Sequence, residues 1–288
     1  MKHYILYNPL AGNGRGEAEL EKVAALLDGE IEKKNVTEID SYADFFAGLE
    51  PEDVIVLCGG DGTINRFVND IDGLELKNKL LYFAAGTGND FLNDVKPEGA
   101  EELFDLEKYV SDLPVVEVNG KSYRFINGVG YGIDGYCCEI GDKKRAESDK
   151  PVNYTAIAIK GLLFAYKPTD ATVIVDGVVH EFKKVWIAPT MHGRCYGGGM
   201  IPTPAQDRFD PEHKVSTMIF HGTGKLKTLM IFPSIFKGEH IKHKEAVTVL
   251  TGNEITVKFG APRPLQIDGE TVLGVTEYTV RTKVPAKV

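Results

Sequence analysis

Three short polar stretches in this chain each follow an apolar run, and their residue types suit a polyphosphate. Gly59-Gly60-Asp61-Gly62-Thr63 comes after Val54-Ile55-Val56-Leu57-Cys58, and Gly86-Thr87-Gly88-Asn89-Asp90 follows Leu80-Leu81-Tyr82-Phe83-Ala84. The third, Asn8-Pro9-Leu10-Ala11-Gly12-Asn13-Gly14-Arg15-Gly16, comes after Tyr4-Ile5-Leu6-Tyr7. Glycines at the carboxyl end of a buried strand let backbone N–H groups close on an anion with no Cβ in the way. A helix that follows adds the positive end of its dipole. Asp61 is out of place beside an anion unless a divalent cation lies between them. Any one of these turns, alone, also reads as a plain strand–turn–helix connection. No G-x-x-x-x-G-K-[ST] run exists, and Glu17 stands where the last glycine of G-x-G-x-x-G belongs. What remains is a nucleotide cradle of backbone amides, with Asp61, Thr63, Asn89 and Asp90 at its edge.

The elements needed to position these turns are legible around them. The unbroken apolar runs read as buried parallel strands. Between the first two, Leu20, Val23, Ala24 and Leu27 recur at helical spacing, with Glu17, Glu19 and Glu21 near the positive end and Asp28-Gly29 as the stop. Ile64, Phe67, Val68 and Ile71 repeat the pattern after the Gly59 turn. Strands alternating with helices predict a doubly wound α/β domain, whose ligands sit at the carboxyl ends of the strands. After about residue 113 the texture changes. Asn119-Gly120, Asp176-Gly177 and Asp268-Gly269 each stand between β-type runs, the strongest short hairpin signal. The second half therefore predicts an antiparallel β-sandwich carrying two helices, at 152–166 and near 224–236, with 142–150 as a charged, solvated loop. The expected division is 1–113 and 114–288, with the last few residues free to return to the first domain.

Composition narrows the function. Hydrophobic content of 43% and charged content of 26% are those of an ordinary globular protein. A net charge of −9 argues against a nucleic-acid binder that relies on global positive charge, and says nothing against a small anionic ligand. Cys58, Cys137, Cys138 and Cys195 form no C-x-x-C pair and read as reduced residues, which fits a cytoplasmic protein. The start Met1-Lys2-His3-Tyr4 runs straight into a strand and reads without a signal peptide. No apolar stretch approaches the roughly 18 residues of a membrane span. If the protein meets lipid, it is expected to do so from the surface. The segment 225–243 interleaves Leu226, Leu229, Met230, Phe232, Ile235 and Phe236 with lysines. It reads either as a helix packed on the sandwich with a basic outer side or as a basic amphipathic element at an anionic interface.

Taken together, Asn8-Pro9-x-x-Gly12, Gly59-Gly60-Asp61-Gly62-Thr63, Gly86-Thr87-Gly88-Asn89-Asp90-Phe91, Gly197-Gly198-Gly199-Met200 and Asp268-Gly269-Glu270 resemble the diacylglycerol kinase catalytic-domain family. That family includes bacterial soluble lipid kinases and the sphingosine and ceramide kinases, and the likeness runs over nearly the whole chain. It implies a Rossmann-like ATP-binding domain followed by a β-sandwich, with the active site between them. It also implies an ATP- and magnesium-dependent phosphotransferase acting on the hydroxyl of a lipid such as diacylglycerol, met at the inner membrane surface. A homodimer is compatible with it. Carried over by motif, Asn8, Gly12, Gly59, Gly60, Gly62 and Thr63 cradle ATP, with Gly86, Thr87 and Asn89 at its other side and Thr37 as a weaker match. Asp61, Asp90 and Asp210 fall to a magnesium network. Asp268 falls to the general base, supported by Glu270, with its proton affinity expected to be raised by neighbouring phosphates and carboxylates. Without the resemblance, Asp268-Gly269 reads as a hairpin corner, Asp210 as an exposed loop acid and His192 as a structural histidine. The chain departs from the family at Leu92-Asn93, where Ala-Arg is usual, at Pro211, where glycine is usual, and at His192, where asparagine is common. A NAD kinase-like enzyme, which shares the Gly-Gly-Asp-Gly turn, and a nucleotide-binding regulator with a degenerate acceptor site are the alternatives.

Overall fold

The computed structural model describes residues 1–9, 16–86, 89–96, 102–147, 152 and 154–282. Gly12 and Thr87, assigned above to the ATP cradle, lie outside the described residues, as do 283–288. The chain divides into two compact units, Met1–Asp112 and Leu113–Val288.

The first unit is built on a five-stranded sheet. Its strands are β1 (Lys2–Tyr7), β2 (Glu30–Asn35), β3 (Val54–Gly59), β4 (Lys79–Ala84) and β5 (Leu103–Asp105), in the order β2-β1-β3-β4-β5. The first four are mutually parallel and β5 closes the far edge antiparallel to β4. Buried Ile5, Val54, Val56 and Phe83 pack against Leu20 and Val23 of α1 (Gly16–Ala24). Aromatic residues supply further packing. Tyr42 of α2 (Tyr42–Ala47) meets Phe67 of α3 (Asp61–Asp70), and Phe91 of α4 (Asp90–Val95) meets Tyr82, Phe104 and, in α5 (Glu107–Val110), Tyr109. Strand β2 carries no hydrophobic signal beyond Ile31. It is an edge strand held partly by ion pairs from Lys2 to Glu30 and Glu32, and its sequence Glu-Ile-Glu-Lys-Lys-Asn keeps that edge charged.

The second unit is the antiparallel β-sandwich expected from the hairpin signals. β6 (Val115–Val118) and β7 (Lys121–Arg124) flank Asn119-Gly120, and β9 (Thr169–Val175) and β10 (Val178–Val185) flank Asp176-Gly177. β14 (Glu254–Ile267) and β15 (Glu270–Arg281) flank Asp268-Gly269. Both central residues of each turn have positive φ, the conformation that two-residue hairpins demand. The long β14 joins the layers. Its first half pairs with β9 and its last residues pair with β8 (Gly128–Tyr131), across a bulged stretch containing Pro262 and Pro264. β11 (Thr190–Met191), β12 (Val215–Phe220) and β13 (Val247–Gly252) complete the sheet. Tyr131, Val173, Ile255, Leu265 and Tyr278 fill the core.

The helices correct one expectation. α7 (Tyr154–Lys160), with the π-turn Gly161–Ala165, and α8 (Lys225–Ile231) form where expected, but the charged stretch from Asp142 to Glu147 is the end of a helix, α6 (Ile133–Glu147). Gly135 and Gly141 mask it in the sequence, because glycine disfavours helix. Packing explains both: a Cβ at Gly135 would fall 2.0 Å from the Pro264 carbonyl oxygen, and one at Gly141 would fall 2.6 Å from the Tyr154 ring.

Candidate functional site

In the first unit, parallel pairing brings four strand ends to one edge. Tyr7 lies opposite both Asn35 and Cys58, and Gly59 lies opposite Ala84, so Asn8, Thr37, Gly60 and Gly86 all follow in one row. Thr37 is exposed there, with its hydroxyl donating to Asn35 Oδ1 at 2.8 Å. The Gly59 turn is shorter than its sequence suggests. Gly59 is the last residue of β3 and Asp61 the first of α3, leaving Gly60 alone between them. None of Gly59, Gly60, Gly62 or Gly86 has positive φ; at Gly59, Gly60 and Gly86 closeness is what makes glycine necessary. A Cβ on Gly59 would lie 2.3 Å from Thr63 Oγ1, so the buried Thr63 side chain rests on the strand end. A Cβ on Gly86 would lie 2.6 Å from the Gly60 Cα, so the two turns touch backbone to backbone. The Tyr82 hydroxyl and the Ala85 N–H both donate to the Gly59 carbonyl, at 2.8 and 2.9 Å. Gly62 differs: no heavy atom lies within 4 Å of its Cβ position.

Asp61 has a structural task that needs no cation. Its Oδ2 accepts from the Asp90 N–H at 2.9 Å and its Oδ1 from the Phe91 N–H at 2.8 Å. These are orphan donors at the start of α4. Asn89, the residue before that helix, is left-handed (φ 44°) and supplies no side-chain cap. The carboxylate of one turn thus caps the helix of the next, a charge-assisted arrangement that also suits the helix dipole. Asn89 Oδ1 is buried without a hydrogen-bond partner among the described residues, and it stands 2.6 Å from where a Gly86 Cβ would be. An orphaned acceptor beside backbone-only turns, together with the open face at Gly62, fits a ligand carrying hydrogen-bond donors near a phosphate.

In the second unit, Asp268 sits at the corner of the β14–β15 hairpin with φ 46°. Its carboxylate closes on three successive amides: Oδ2 accepts from Ile126 N–H at 2.6 Å, and Oδ1 from Asn127 and Gly128 N–H at 2.8 and 2.9 Å. Backbone donors of this kind stabilise the anion. Arg208 is the residue that sequence reading missed. Its guanidinium donates to the Ile126 carbonyl and, at 2.7 Å, to Asn127 Oδ1, while the Asn127 carbonyl accepts from His192 and Gly193 N–H. Three segments distant in sequence therefore fix the loop that holds Asp268. Nothing local in the sequence links Arg208 to that loop; its partner Asn127 lies 81 residues away and only tertiary structure brings the two together. Glu270 opens β15 with its side chain exposed.

Asp210 folds back on its own loop, accepting from Glu212 N–H at 2.9 Å and Lys214 N–H at 3.3 Å. Among the described residues, no three His, Cys, Asp or Glu side chains gather as a metal cluster. A second carboxylate, unremarked in the sequence, is deeply buried. Asp134 accepts from the Tyr196 hydroxyl at 3.0 Å and from Gly135 N–H at 2.9 Å, and with Gln266 it fills the space over Gly130. Burial pushes its carboxyl up to about 6, and the hydrogen bonds from Gly135 and Tyr196 pull the other way. Gln266 reaches the hairpin as well, its Oε1 accepting from Gly269 N–H at 2.7 Å.

A parallel α/β unit followed by an antiparallel β-sandwich is the architecture of a diacylglycerol kinase structure from Bacillus anthracis str. Sterne. The two share 20% identity over 100% of this chain and 98% of that one, with a TM-score of 0.60, a likeness of fold. Residues 2–113 match the diacylglycerol kinase catalytic domain model, and residues 127–287 match the YegS C-terminal NAD kinase beta sandwich-like domain. The chain belongs to the diacylglycerol kinase catalytic-domain family, a family of lipid kinases. Relatives named diacylglycerol kinase include one from Mycobacterium tuberculosis, 24% identical over 261 residues (84% of this chain, 81% of that one). Another, from Bacillus subtilis, is 23% identical over 277 residues (92% and 88%).

Proposed function

We propose that this protein transfers the γ-phosphoryl group of ATP to the hydroxyl of a lipid, diacylglycerol or a close relative of it. The observation that carries the reading is the ordered match of both halves to the lipid-kinase family. The geometry of each half supports it. Phosphoryl transfer needs positioning and charge neutralisation more than covalent chemistry. The edge formed by Asn8, Thr37, Gly59, Gly60, Gly62, Thr63, Gly86 and Asn89, with Gly12 and Thr87 by motif, is the proposed ATP cradle. Asp61, Asp90 and Asp210 are the proposed magnesium carboxylates, and the ion, when bound, neutralises phosphate charge. Asp268 is the proposed base, supported by Glu270. Because three amides hold its two carboxylate oxygens in place, its contribution is a fixed acceptor for the proton of the lipid hydroxyl. No described helix is long and apolar enough to cross a membrane, so the lipid is met from the surface, in this reading at the cytoplasmic face.

The test is ATP consumption against diacylglycerol, monoacylglycerol, sphingosine, phosphatidylglycerol and NAD, with and without magnesium. Turnover on a lipid that depends on magnesium is expected. Turnover on NAD, with none on any lipid, overturns the reading.

A further inference from the structure

Two segments of the second unit place large apolar side chains in solvent. Phe164, in the π-turn Gly161–Ala165, is 81% exposed; Leu226 and Met230, one turn apart on α8, are 73% and 69% exposed, and Phe236 is exposed just beyond. The segments are neighbours. α8 packs on the π-turn, and Leu162 beneath one and Ile231 and Ile235 beneath the other belong to the same buried cluster. The buried side of 225–237 is therefore already satisfied, and its exposed side carries large apolar residues as well. A helix merely packed on the sandwich shows water a mainly polar side, with large apolar residues there singly rather than grouped with those of a neighbouring segment.

The charge around these side chains says what they meet. Neither 154–167 nor 225–237 contains an Asp or Glu, although the chain has 42 acidic residues against 33 Lys and Arg. Lys160, Lys167, Lys225 and Lys237 are exposed there, while Lys227, also exposed, is paired with Glu245 at 2.9 Å. A second copy of the chain would bring one basic face against another. An anionic bilayer offers complementary charge to the lysines and hydrocarbon to the phenylalanines, leucine and methionine.

We infer that the face carrying Phe164, Leu226, Met230 and Phe236 docks this protein on an anionic lipid bilayer, with the surrounding lysines on the headgroups. The purpose of such docking rests on the lipid-kinase reading, but its occurrence does not, and the test separates them. Sedimentation with vesicles of equal phosphatidylglycerol and phosphatidylcholine, without nucleotide, is expected to show binding that weakens in high salt. Pure phosphatidylcholine vesicles are expected to bind at least tenfold more weakly. Phe164→Ser/Leu226→Ser/Met230→Ser is expected to lose at least tenfold on the anionic vesicles with its thermal unfolding unchanged, since the replaced side chains are exposed. Lys225→Gln/Lys237→Gln is expected to lose the preference for phosphatidylglycerol. Triple-variant binding equal to that of the unaltered protein overturns the inference. So does a dimer, seen by light scattering, that the triple variant abolishes in a protein that binds no vesicle. Vesicle binding by a protein inactive on every lipid supports the docking face while overturning the kinase reading.

Discussion

Replacing Asp268 by asparagine exchanges one carboxylate oxygen for an amide nitrogen and removes the charge. The Ile126–Gly128 loop feels both changes. With its oxygen placed at Oδ1, the asparagine keeps the bonds from Asn127 and Gly128, but its nitrogen then faces the Ile126 N–H across the shortest of the three contacts, 2.6 Å, donor against donor. The opposite orientation keeps one bond and loses two. The better choice thus forfeits one charge-assisted bond, worth roughly 1.5–3 kcal/mol, and weakens two others toward the roughly 1 kcal/mol of neutral bonds. Partial exposure of Asp268 lets water relieve the Ile126 amide, and a net loss of about 2–3 kcal/mol results. For a domain of this size that lowers Tm by roughly 5–10 °C. Thermal unfolding followed by near-ultraviolet circular dichroism measures it, with Glu270→Gln, an exposed substitution, expected to stay within about 0.5 kcal/mol. A normal Tm for Asp268→Asn would refute the latch. The prediction also bears on the proposed base: a fall in kcat for this variant mixes lost base with lost loop. Arg208→Gln loosens the same loop while leaving the carboxylate in place, so a kcat loss of equal size in both variants assigns the effect to positioning. Full kcat in Asp268→Asn removes the residue from the base role.

Other consequences follow from the glycine edge and from the buried acid. Gly62→Ala meets no atom within 4 Å in a helical position, so stability is expected to hold or rise by about 0.5–1 kcal/mol while ATP affinity falls by calorimetry; unchanged affinity places the phosphates elsewhere. Gly86→Ala, by contrast, drives a Cβ to 2.6 Å from the Gly60 Cα and is expected to cost about 1–3 kcal/mol in denaturant unfolding as well as affinity. Asp61→Ala removes two acceptors from the start of α4, and hydrogen exchange of the Asp90 and Phe91 amides should accelerate while that of β3 stays slow; unchanged exchange argues against the cap. Asp134, raised from 3.8 to about 6 by burial, binds a proton in the folded state that the unfolded chain has already released between those values. Stability is therefore lost as pH rises from about 4 to about 6 and is level above, by an amount on the order of 3 kcal/mol at most. Asp134→Asn should flatten that slope, and an unchanged pH profile would clear Asp134 of the effect.

Much of the architecture was legible in the residues. Unbroken apolar runs become β1, β3 and β4, because a strand covered on both faces needs no polar alternation. Three Asn-Gly or Asp-Gly pairs become hairpin corners, because few other residues adopt positive φ twice in succession. The elements missed are those whose local signal opposes their structure. Strand β2 is charged because it lies at an edge, and α6 carries two glycines because Pro264 and Tyr154 press against its backbone.

The sequence by itself determined the class of both halves, the row of turns at the strand ends and the family to which the motifs point, since each is written in local residue types and spacing. Only the tertiary structure decided what those residues do to one another. Gly60 and Gly86 are glycines because two turns touch, Asp61 caps a helix that begins at Asp90, and Asp268 is clasped by amides from Ile126 to Gly128 with Arg208 behind them. The same holds for Phe164 and Met230, apolar residues that periodicity could not assign to core or surface until the packing of α8 on its neighbour left them in water. Hydrogen bonds and van der Waals contacts act over a few ångströms of space, whatever the distance along the chain.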